Sequence, residues 1–187
     1  MQKADYLLII SPSHAVKSVA IYYKNWLASY IGSFTARFSE PHLSIASFIM
    51  DVCKEKILVP TLRRAAAEEK PFSLSTHGFG SFFNSRTVFM QIEEIKEFAQ
   101  LSRNLHEKST ISFLPSTCKS LFYVPHLTIG RRLEHKYEYA CRLFQYQTIS
   151  QTFTASAVIL LKRDEQGLFQ SIQEFPFLSR PSQLSLF

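Results

Sequence analysis

The chain has 187 residues, of which 46% are hydrophobic and 14% aromatic, and its formal net charge is +6. This length fits one domain or two closely packed lobes, and the positive charge favours an anionic partner such as RNA or a nucleotide. No apolar run is long enough to span a membrane, no secretory signal begins the chain, and the three Cys lack metal-site spacing. We therefore expect a cytoplasmic protein with reduced thiols.

The first part of the chain predicts strands that alternate with helices. An apolar run predicts a strand at 6–10, and apolar residues at helical spacing predict a helix at 14–31 that ends at Gly32. A second strand is expected at 42–48. Residues 53–70 favour helix, but Pro60 would either begin that helix or separate two short ones.

The later part of the chain predicts further alternation and a final hairpin. The expected elements are a strand at 71–76, an aromatic loop at 77–86, a strand at 87–92, a helix at 93–107 with Ile95, Phe98, Ala99 and Leu105 inward, a strand at 122–129, a helix near 133–144, and a hairpin of 155–162 with 168–175. This order favours an α+β fold with mainly antiparallel sheets. We expect one domain over 1–175 and a loosely held tail at 176–187.

One short phrase occurs twice in the sequence. PHLSIASF begins at Pro41 and PHLTIGRR begins at Pro125, 84 residues later. Because strand side chains alternate between faces, His42 shares a face with Ser44, and His126 shares a face with Thr128. Two such strands, related by a pseudo-twofold axis, would present two imidazoles and two hydroxyls to a cleft between two lobes.

This set of side chains suits phosphodiester chemistry without a metal ion. One neutral imidazole can take a proton from the attacking hydroxyl or water, and one imidazolium can protonate the departing oxygen. The hydroxyls can donate hydrogen bonds to the non-bridging phosphate oxygens. A single copy would more often be an ordinary strand histidine, but two copies, each after a proline, favour the functional interpretation.

The repeated phrase resembles the two His-x-Ser/Thr-x motifs (HxTx) of the 2H phosphoesterase superfamily. More narrowly, the chain is similar to the bacterial 2′-5′ RNA ligase-like proteins, which act as RNA 2′,3′-cyclic phosphodiesterases. The similarity covers about residues 6–161 and includes PFSLSTHGFGSFFNSRTVFMQI and HLTIGR. It implies a bilobal fold with helices on the outer faces, an active site between the lobes, and catalysis without a metal or other cofactor.

The resemblance also implies roles for individual residues. His42 and His126 match the catalytic pair, with His126 as base and His42 as acid for ring opening. Ser44 and Thr128 match the phosphate-binding hydroxyls. Arg131 matches an arginine often found in the ligase-like branch; it could bind phosphate or stack on a base, or could equally be a solvated residue after a strand.

Aromatic and basic side chains outside the motifs offer further candidate contacts. Phe79 and Phe82 could stack on a base, or could pack their loop onto the core. The basic groups at 63–64 and 131–132, with Lys136, could line an RNA-binding rim or only solvate helix faces.

Several functions remain open at this point. The leading hypothesis is a monomeric enzyme that opens 2′,3′-cyclic phosphates of RNA ends or nucleotides to 2′-phosphates, with 2′-5′ RNA ligation as the reverse reaction. A second keeps the chemistry but changes the substrate to a cyclic phosphate derived from ADP-ribose or to a 2′-5′ oligoadenylate. A third is a nucleotide- or RNA-binding module without turnover.

Overall fold

The computed structural model describes residues 2–181, and this part of the chain contains both helices and strands. The strands are β1 (Lys3–Ile10), β2 (Leu43–Asp51), β3 (Phe72–Phe82), β4 (Thr87–Ile92), β5 (Lys119–Leu121), β6 (His126–Gly130), β7 (Ser150–Ala155), β8 (Ala157–Arg163) and β9 (Phe169–Pro176). The helices are α1 (His14–Ile31), α2 (Glu55–Glu68), α3 (Ile95–Glu107) and α4 (Tyr137–Phe144). Short 3₁₀ helices cover Val52–Lys54, Thr110–Phe113, Ser116–Cys118 and Glu134–Lys136. The expected α+β class is confirmed.

The strands form two sheets in which every described strand pair is antiparallel. A five-stranded sheet has the order β5-β2-β1-β8-β9, and a four-stranded sheet has the order β6-β4-β3-β7. The first copy of the motif enters β2 of the larger sheet, and the second copy lies on β6, the terminal strand of the smaller sheet. Each sheet therefore supplies one histidine, as the sequence predicts.

Each sheet is covered by two helices, and each sheet with its two helices forms one lobe. In the first lobe, α2 packs on β9, and the Ser102 hydroxyl of α3 donates a hydrogen bond to the Ile45 carbonyl of β2 (3.4 Å). In the second lobe, α1 packs on β6 and β7, while α4 packs on β3 and β4. The chain crosses between the lobes repeatedly, because α1 follows β1 of the first lobe yet covers the sheet of the second.

A shared hydrophobic core joins the two lobes. The aliphatic residues of both motif copies, Leu43 and Ile45 on β2 and Leu127 and Ile129 on β6, belong to it and are each at most 1% exposed. Burying a side chain of this size stabilises the fold by about 1.5–3 kcal/mol. The lobes are therefore fixed against each other by the same residues that turn both histidines toward the opposite face.

Helix α1 forms as the sequence predicts and connects the lobes. The Ser13 hydroxyl accepts a hydrogen bond from the Val16 N–H (3.5 Å) at the N-terminus, and Gly32, with φ of 73°, ends the helix. None of the helices in the described part of the chain is long and apolar enough to cross a membrane.

Helix α2 differs from both predicted alternatives at Pro60. It is continuous from Glu55 to Glu68, so Pro60 neither begins it nor divides it. Pro60 lies in the second turn, and both it and Lys56, four residues earlier, are exposed. Water can therefore bond the carbonyl that loses its helical N–H donor, which makes the proline tolerable there.

The predicted loop at 77–86 is largely a strand. β3 continues to Phe82 through an irregularity between Thr76 and Phe79, where Gly78 adopts φ of 64°. Glycine reaches this left-handed conformation without steric cost, so it provides a bulge within the strand instead of a loop. A turn closed by the Arg86 N–H and the Phe83 carbonyl (3.2 Å) then leads into β4.

Two smaller expectations also need correction, and two strands were not predicted. Only the second half of the strand predicted at 122–129 is observed, since β6 begins at His126 and residues 122–125, which end in a proline, lie outside any strand; the short β5 before them was not predicted. Ile95, expected to face inward, is 47% exposed, because it begins α3 and lies outside its buried face. Strand β7, which pairs with β3, was likewise not predicted from the sequence.

The C-terminal hairpin of β8 and β9 forms as expected, and the residues after it are partly anchored. Phe177 is buried, and the backbone N–H groups of Ser179 and Arg180 donate to the Glu69 and Ala67 carbonyls (both 2.9 Å). Residues 177–180 are thus held against the end of α2. The remainder of the predicted tail, 182–187, lies outside the described residues.

Candidate active site

The two copies of the motif approach each other where β2 and β6 meet. Burial follows the predicted alternation, because the Leu and Ile of each copy are buried while the His and the hydroxyl residue remain partly exposed. His126 is near enough for its charge to lower the pKa of His42. The structure therefore brings His42 near His126, and Ser44 and Thr128 lie two residues further along the same strands.

Both imidazole rings are held in the same way. The Nδ1 atom of His42 lies 2.8 Å from the Glu40 carbonyl oxygen, and the Nδ1 atom of His126 lies 3.0 Å from the Val124 carbonyl oxygen. A carbonyl can only accept, so each Nδ1 carries the proton and donates it. The lone pair of each neutral ring is therefore on Nε2, the nitrogen that is left for a substrate.

The surroundings favour the neutral form of both histidines. Burial lowers the pKa of His42 below its ordinary value, and the positive charges of Lys24 and His126 lower it further, against the hydrogen bond to Glu40. Burial also lowers the pKa of His126, against the hydrogen bond to Val124. Both rings can consequently serve as bases near neutral pH, and one must gain a proton to serve as an acid.

The two hydroxyl residues are available to a ligand. Within residues 2–181, neither the Ser44 hydroxyl nor the Thr128 hydroxyl has a protein hydrogen-bond partner, and both residues are partly exposed. A hydroxyl in this situation can donate to an anionic oxygen without first breaking a bond inside the protein.

Lys24 supports the first copy of the motif and was not identified from the sequence. Its Nζ donates to the Ala36 carbonyl (3.0 Å), the Ser39 carbonyl (2.5 Å) and the Ser39 hydroxyl (3.0 Å), and the residue is 1% exposed. Burial lowers its pKa to about 8. Lys24 follows Ala20 by four residues on the buried stripe of α1, and a charged residue on that stripe is the signal that could have revealed it.

Aromatic rings support the second copy. The Phe82 ring meets the His126 ring edge-on at 5.0 Å between centroids, and the Phe89 ring lies 5.2 Å from it. Phe89 can occupy this place because Gly80 faces it, since a Cβ at Gly80 would come within 2.9 Å of the ring. Phe82 thus lies beside a catalytic candidate, its base-stacking role stays a prediction, and Phe89 was not identified from the sequence.

Phe79 lies on the opposite face of the same sheet. Its ring packs against Tyr23 of α1 (4.7 Å between centroids) and Phe144 of α4 (4.5 Å). The bulge at Gly78 turns this side chain toward the helices. The structure thus contradicts the expectation that Phe79 stacks on a base in the cleft and favours the packing alternative.

Arg131 lies beyond the end of β6, three residues after Thr128. It lines a concavity with Asn84, Ser85, Arg86, Arg132 and Glu134, and no described contact joins it to either histidine. In the described residues, no group of three or more His, Cys, Asp or Glu is arranged to hold a metal ion. The candidate groups of the site are the imidazoles of His42 and His126 and the hydroxyls of Ser44 and Thr128.

Comparison with known proteins agrees with this arrangement. A family model described as the 2′-5′ RNA ligase superfamily matches residues 25–167, which include both motifs. A Geobacillus sp. (strain WCH70) protein, named as a candidate phosphoesterase, is 28% identical over 130 residues, covering 65% of this chain and 72% of that protein. A similarly named protein of Geobacillus kaustophilus is also 28% identical over 130 residues, covering 68% of this chain and 69% of its own.

Solved structures share the fold. The crystal structure of E. coli LigT complexed with phosphate has a TM-score of 0.70 at 15% identity, covering 95% of this chain and 99% of that chain. A further crystal structure of a phosphoesterase gives a TM-score of 0.68 at 18% identity, covering 94% and 99%. The family match spans more than half of the chain, and the fold agrees with it. This chain therefore belongs to the 2′-5′ RNA ligase superfamily of 2H phosphoesterases.

Proposed function

We propose that this protein hydrolyses 2′,3′-cyclic phosphates, at RNA ends or on nucleotides, to 2′-phosphates, and that it needs no metal ion. The observation that carries the proposal is the matched pair of histidines, each with Nδ1 donating to a carbonyl two residues earlier. That bond leaves Nε2 of each ring free for proton transfer, which is what an acid–base pair requires.

The reaction assigns a different task to each ring. His126 Nε2 takes a proton from water as the water oxygen bonds to phosphorus. The bond between phosphorus and O3′ then breaks, and protonated His42 gives its Nε2 proton to O3′. The product carries a 2′-phosphate and a free 3′-hydroxyl.

Two hydroxyl groups stabilise the negative charge that develops on the phosphate during the displacement. Ser44 and Thr128 donate hydrogen bonds to the non-bridging oxygens, which become more negative as the fifth oxygen approaches phosphorus. The same steps with a 5′-hydroxyl in place of water form a 2′-5′ bond, because the 5′ oxygen bonds to phosphorus as O3′ leaves, with His126 again as base and His42 as acid. In the reverse reaction, cleavage of the 2′-5′ bond by the 3′-hydroxyl, the roles of the two histidines are exchanged.

Incubation with 2′,3′-cyclic AMP, with and without EDTA, tests the proposal. We expect 2′-AMP as the product at equal rates in both samples, identified by chromatography against 2′-AMP and 3′-AMP standards. Loss of activity in EDTA that one divalent ion restores would contradict the metal-free mechanism. Binding of the nucleotide without turnover, on cyclic AMP and on a cyclic-ended RNA alike, would instead indicate a binding module.

A further inference from the structure

The concavity at the end of β6 adjoins the candidate active site but is distinct from it. It has a volume of about 480 Å³ and is lined by Asn84, Ser85, Arg86, Arg131, Arg132 and Glu134. It lies where β6 ends and β4 begins, since Gly130 pairs with Val88 there, while His126 pairs with Gln91 further along the same two strands. The concavity thus continues the strand pair that carries His126 and Thr128.

The lining is strongly cationic. Three arginines face one carboxylate, that of Glu134. Within the described part of the chain, the side chains of Arg131 and Arg132 form no hydrogen bond or ion pair, and both residues are exposed. Like charges in one concavity repel each other unless an anion joins them, and a guanidinium matches the geometry of a phosphate group.

The backbone around the concavity is fixed in an uncommon conformation. Arg86, Arg132 and Glu134 have φ of 48°, 54° and 48°, in the left-handed region that side-chain-bearing residues seldom occupy. The Arg132 N–H donates to the Ser85 carbonyl (3.3 Å), and the Leu133 N–H donates to the Arg86 carbonyl (3.1 Å). Such conformations persist only where the surroundings hold them, so these arginines are presented by a defined structure.

One of the three guanidinium groups is also held by rings. The Arg86 guanidinium lies 4.1 Å from the centre of the Phe83 ring and 5.3 Å from that of Tyr137. Ring faces position a cation without neutralising it, so Arg86 keeps its charge for a ligand.

The distance along the strand decides which ligand fits. At about 3.3 Å per residue, the Cα atoms of Arg131 and Thr128 are about 10 Å apart. A cyclic mononucleotide has one phosphate and cannot occupy both places, whereas an RNA strand carries a phosphate at every nucleotide. Building on the proposed function, we infer that the concavity binds a backbone phosphate of RNA on the 5′ side of the cyclic phosphate, so that RNA ends are preferred over mononucleotides.

Turnover of two substrates tests this site. The substrates are 2′,3′-cyclic AMP and a five-nucleotide RNA that ends in a 2′,3′-cyclic phosphate. In Arg132→Gln we expect kcat/KM to fall about tenfold more on the RNA than on cyclic AMP, because a charge-assisted hydrogen bond to phosphate is lost. Arg86→Gln combined with Arg132→Gln should widen that ratio.

The double variant Arg63→Gln, Arg64→Gln is the matched control. It removes two positive charges, as the Arg86→Gln, Arg132→Gln variant does, but from a different groove, between α2 and β9, where Glu68 and Glu174 also lie. The control should keep the wild-type ratio between the two substrates. An equal loss in the control, or no preference of the wild type for RNA, would overturn the inference.

A binding measurement separates this inference from the proposed function. Fluorescence anisotropy of a labelled five-nucleotide RNA, recorded over a range of KCl concentrations, requires no turnover. We expect Arg132→Gln to reduce the slope of log affinity against log salt by about 0.7 for the lost phosphate contact. If no cyclic phosphate is hydrolysed but this slope changes, the proposed function fails while the phosphate site stands. An unchanged slope refutes the site.

Discussion

The two copies of the motif have matching backbones and different supports. In each copy the histidine Nδ1 donates to the carbonyl two residues earlier, and the following leucine, Leu43 or Leu127, is fully buried. The first copy is held by a buried cation, Lys24, which binds the segment before His42. The second copy is flanked by aromatic rings, of which Phe82 meets His126 edge-on.

This difference gives two similar histidines different electrostatic surroundings. Burial and the charge of Lys24 both lower the pKa of His42. Burial also lowers the pKa of His126, but no cation beneath the second copy adds to it in the described residues. A repeated motif therefore does not imply repeated chemistry. The sequence defines the pair of proton-transfer groups, while the residues beneath each copy determine how readily each ring holds its proton.

The largest expected effect comes from removing either ring. His42→Ala and His126→Ala should each lower kcat on 2′,3′-cyclic AMP by about 10²–10⁴-fold, because each loses one proton transfer. Unfolding in urea should remain close to wild type, since both rings are partly exposed. His135→Ala, at an exposed position outside the site, is the control. A variant of His42 or His126 with nearly full activity would contradict the paired mechanism.

A substrate with an activated leaving group at O3′ distinguishes the histidine that acts as acid from the one that acts as base. Such a group departs without a proton, so His42→Ala should recover most of its rate on this substrate, while His126→Ala should not. Recovery of the His126 variant instead would invert the assignment of acid and base. If neither variant recovers, neither ring protonates O3′.

Local sequence patterns predicted α1 and β4 well. Helix α1 spans His14–Ile31 and β4 spans Thr87–Ile92, as expected, because apolar spacing and the residues that end each element are local signals. The same alternation placed Leu43 and Leu127 inside and both histidines outside. The candidate site could be proposed from the sequence because it depends on two strands that repeat one pattern.

Features that depend on distant residues could not be predicted in this way. Lys24 bonds to residues 12 and 15 positions away, so no short window shows its role. The bulge at Gly78 reverses the alternation within β3 and exchanges the faces of Phe79 and Phe82, which composition alone does not indicate. The crossing of α1 to the second lobe is likewise a property of the assembled sheets.

The support beneath the first copy is tested by Lys24→Met, which keeps the apolar stem. The carbonyls of Ala36 and Ser39 then lose their donor, which should lower the free energy of unfolding by about 1–3 kcal/mol. We expect kcat to fall about tenfold, since the Glu40 carbonyl that orients His42 belongs to the loosened segment. Lys56→Met, on the exposed side of α2, is the matched control.

The pH profile of Lys24→Met distinguishes positioning from general destabilisation. Lys24 lowers the pKa of His42, so removing its charge should raise that pKa. Because His42 must be protonated to act as the acid, the alkaline limb of the kcat/KM profile should move to higher pH. A variant that is only less stable would keep the wild-type limb. That result would mean that Lys24 stabilises the fold without affecting the protonation of His42.

The wild-type protein should show the lowered pKa values directly. Both histidines have pKa values below the ordinary 6.5, so the bell-shaped profile of kcat/KM should be centred on the acid side of pH 6.5. The same shift affects stability: the unfolded chain binds these protons more readily, so the free energy of unfolding falls as pH drops below about 6.5. Urea titrations at pH 5–8 should show a smaller fall for the double variant His42→Ala, His126→Ala. A profile centred well above pH 7 would contradict the lowered pKa values.

The smallest expected effect comes from exchanging the two hydroxyl residues. Ser44→Thr combined with Thr128→Ser keeps a donor in each copy, so kcat on 2′,3′-cyclic AMP should change by only about two- to threefold. Removing a donor, in Ser44→Ala or Thr128→Val, should cost about tenfold or more, because a hydrogen bond to a charged oxygen contributes about 1.5–3 kcal/mol. If the hydroxyls are equivalent, the two removals should have similar effects despite the different surroundings of the copies. A large effect of removing one donor and none of the other would show that a single copy binds the non-bridging oxygens, and that the supports beneath the copies differentiate their hydroxyls as well as their histidines.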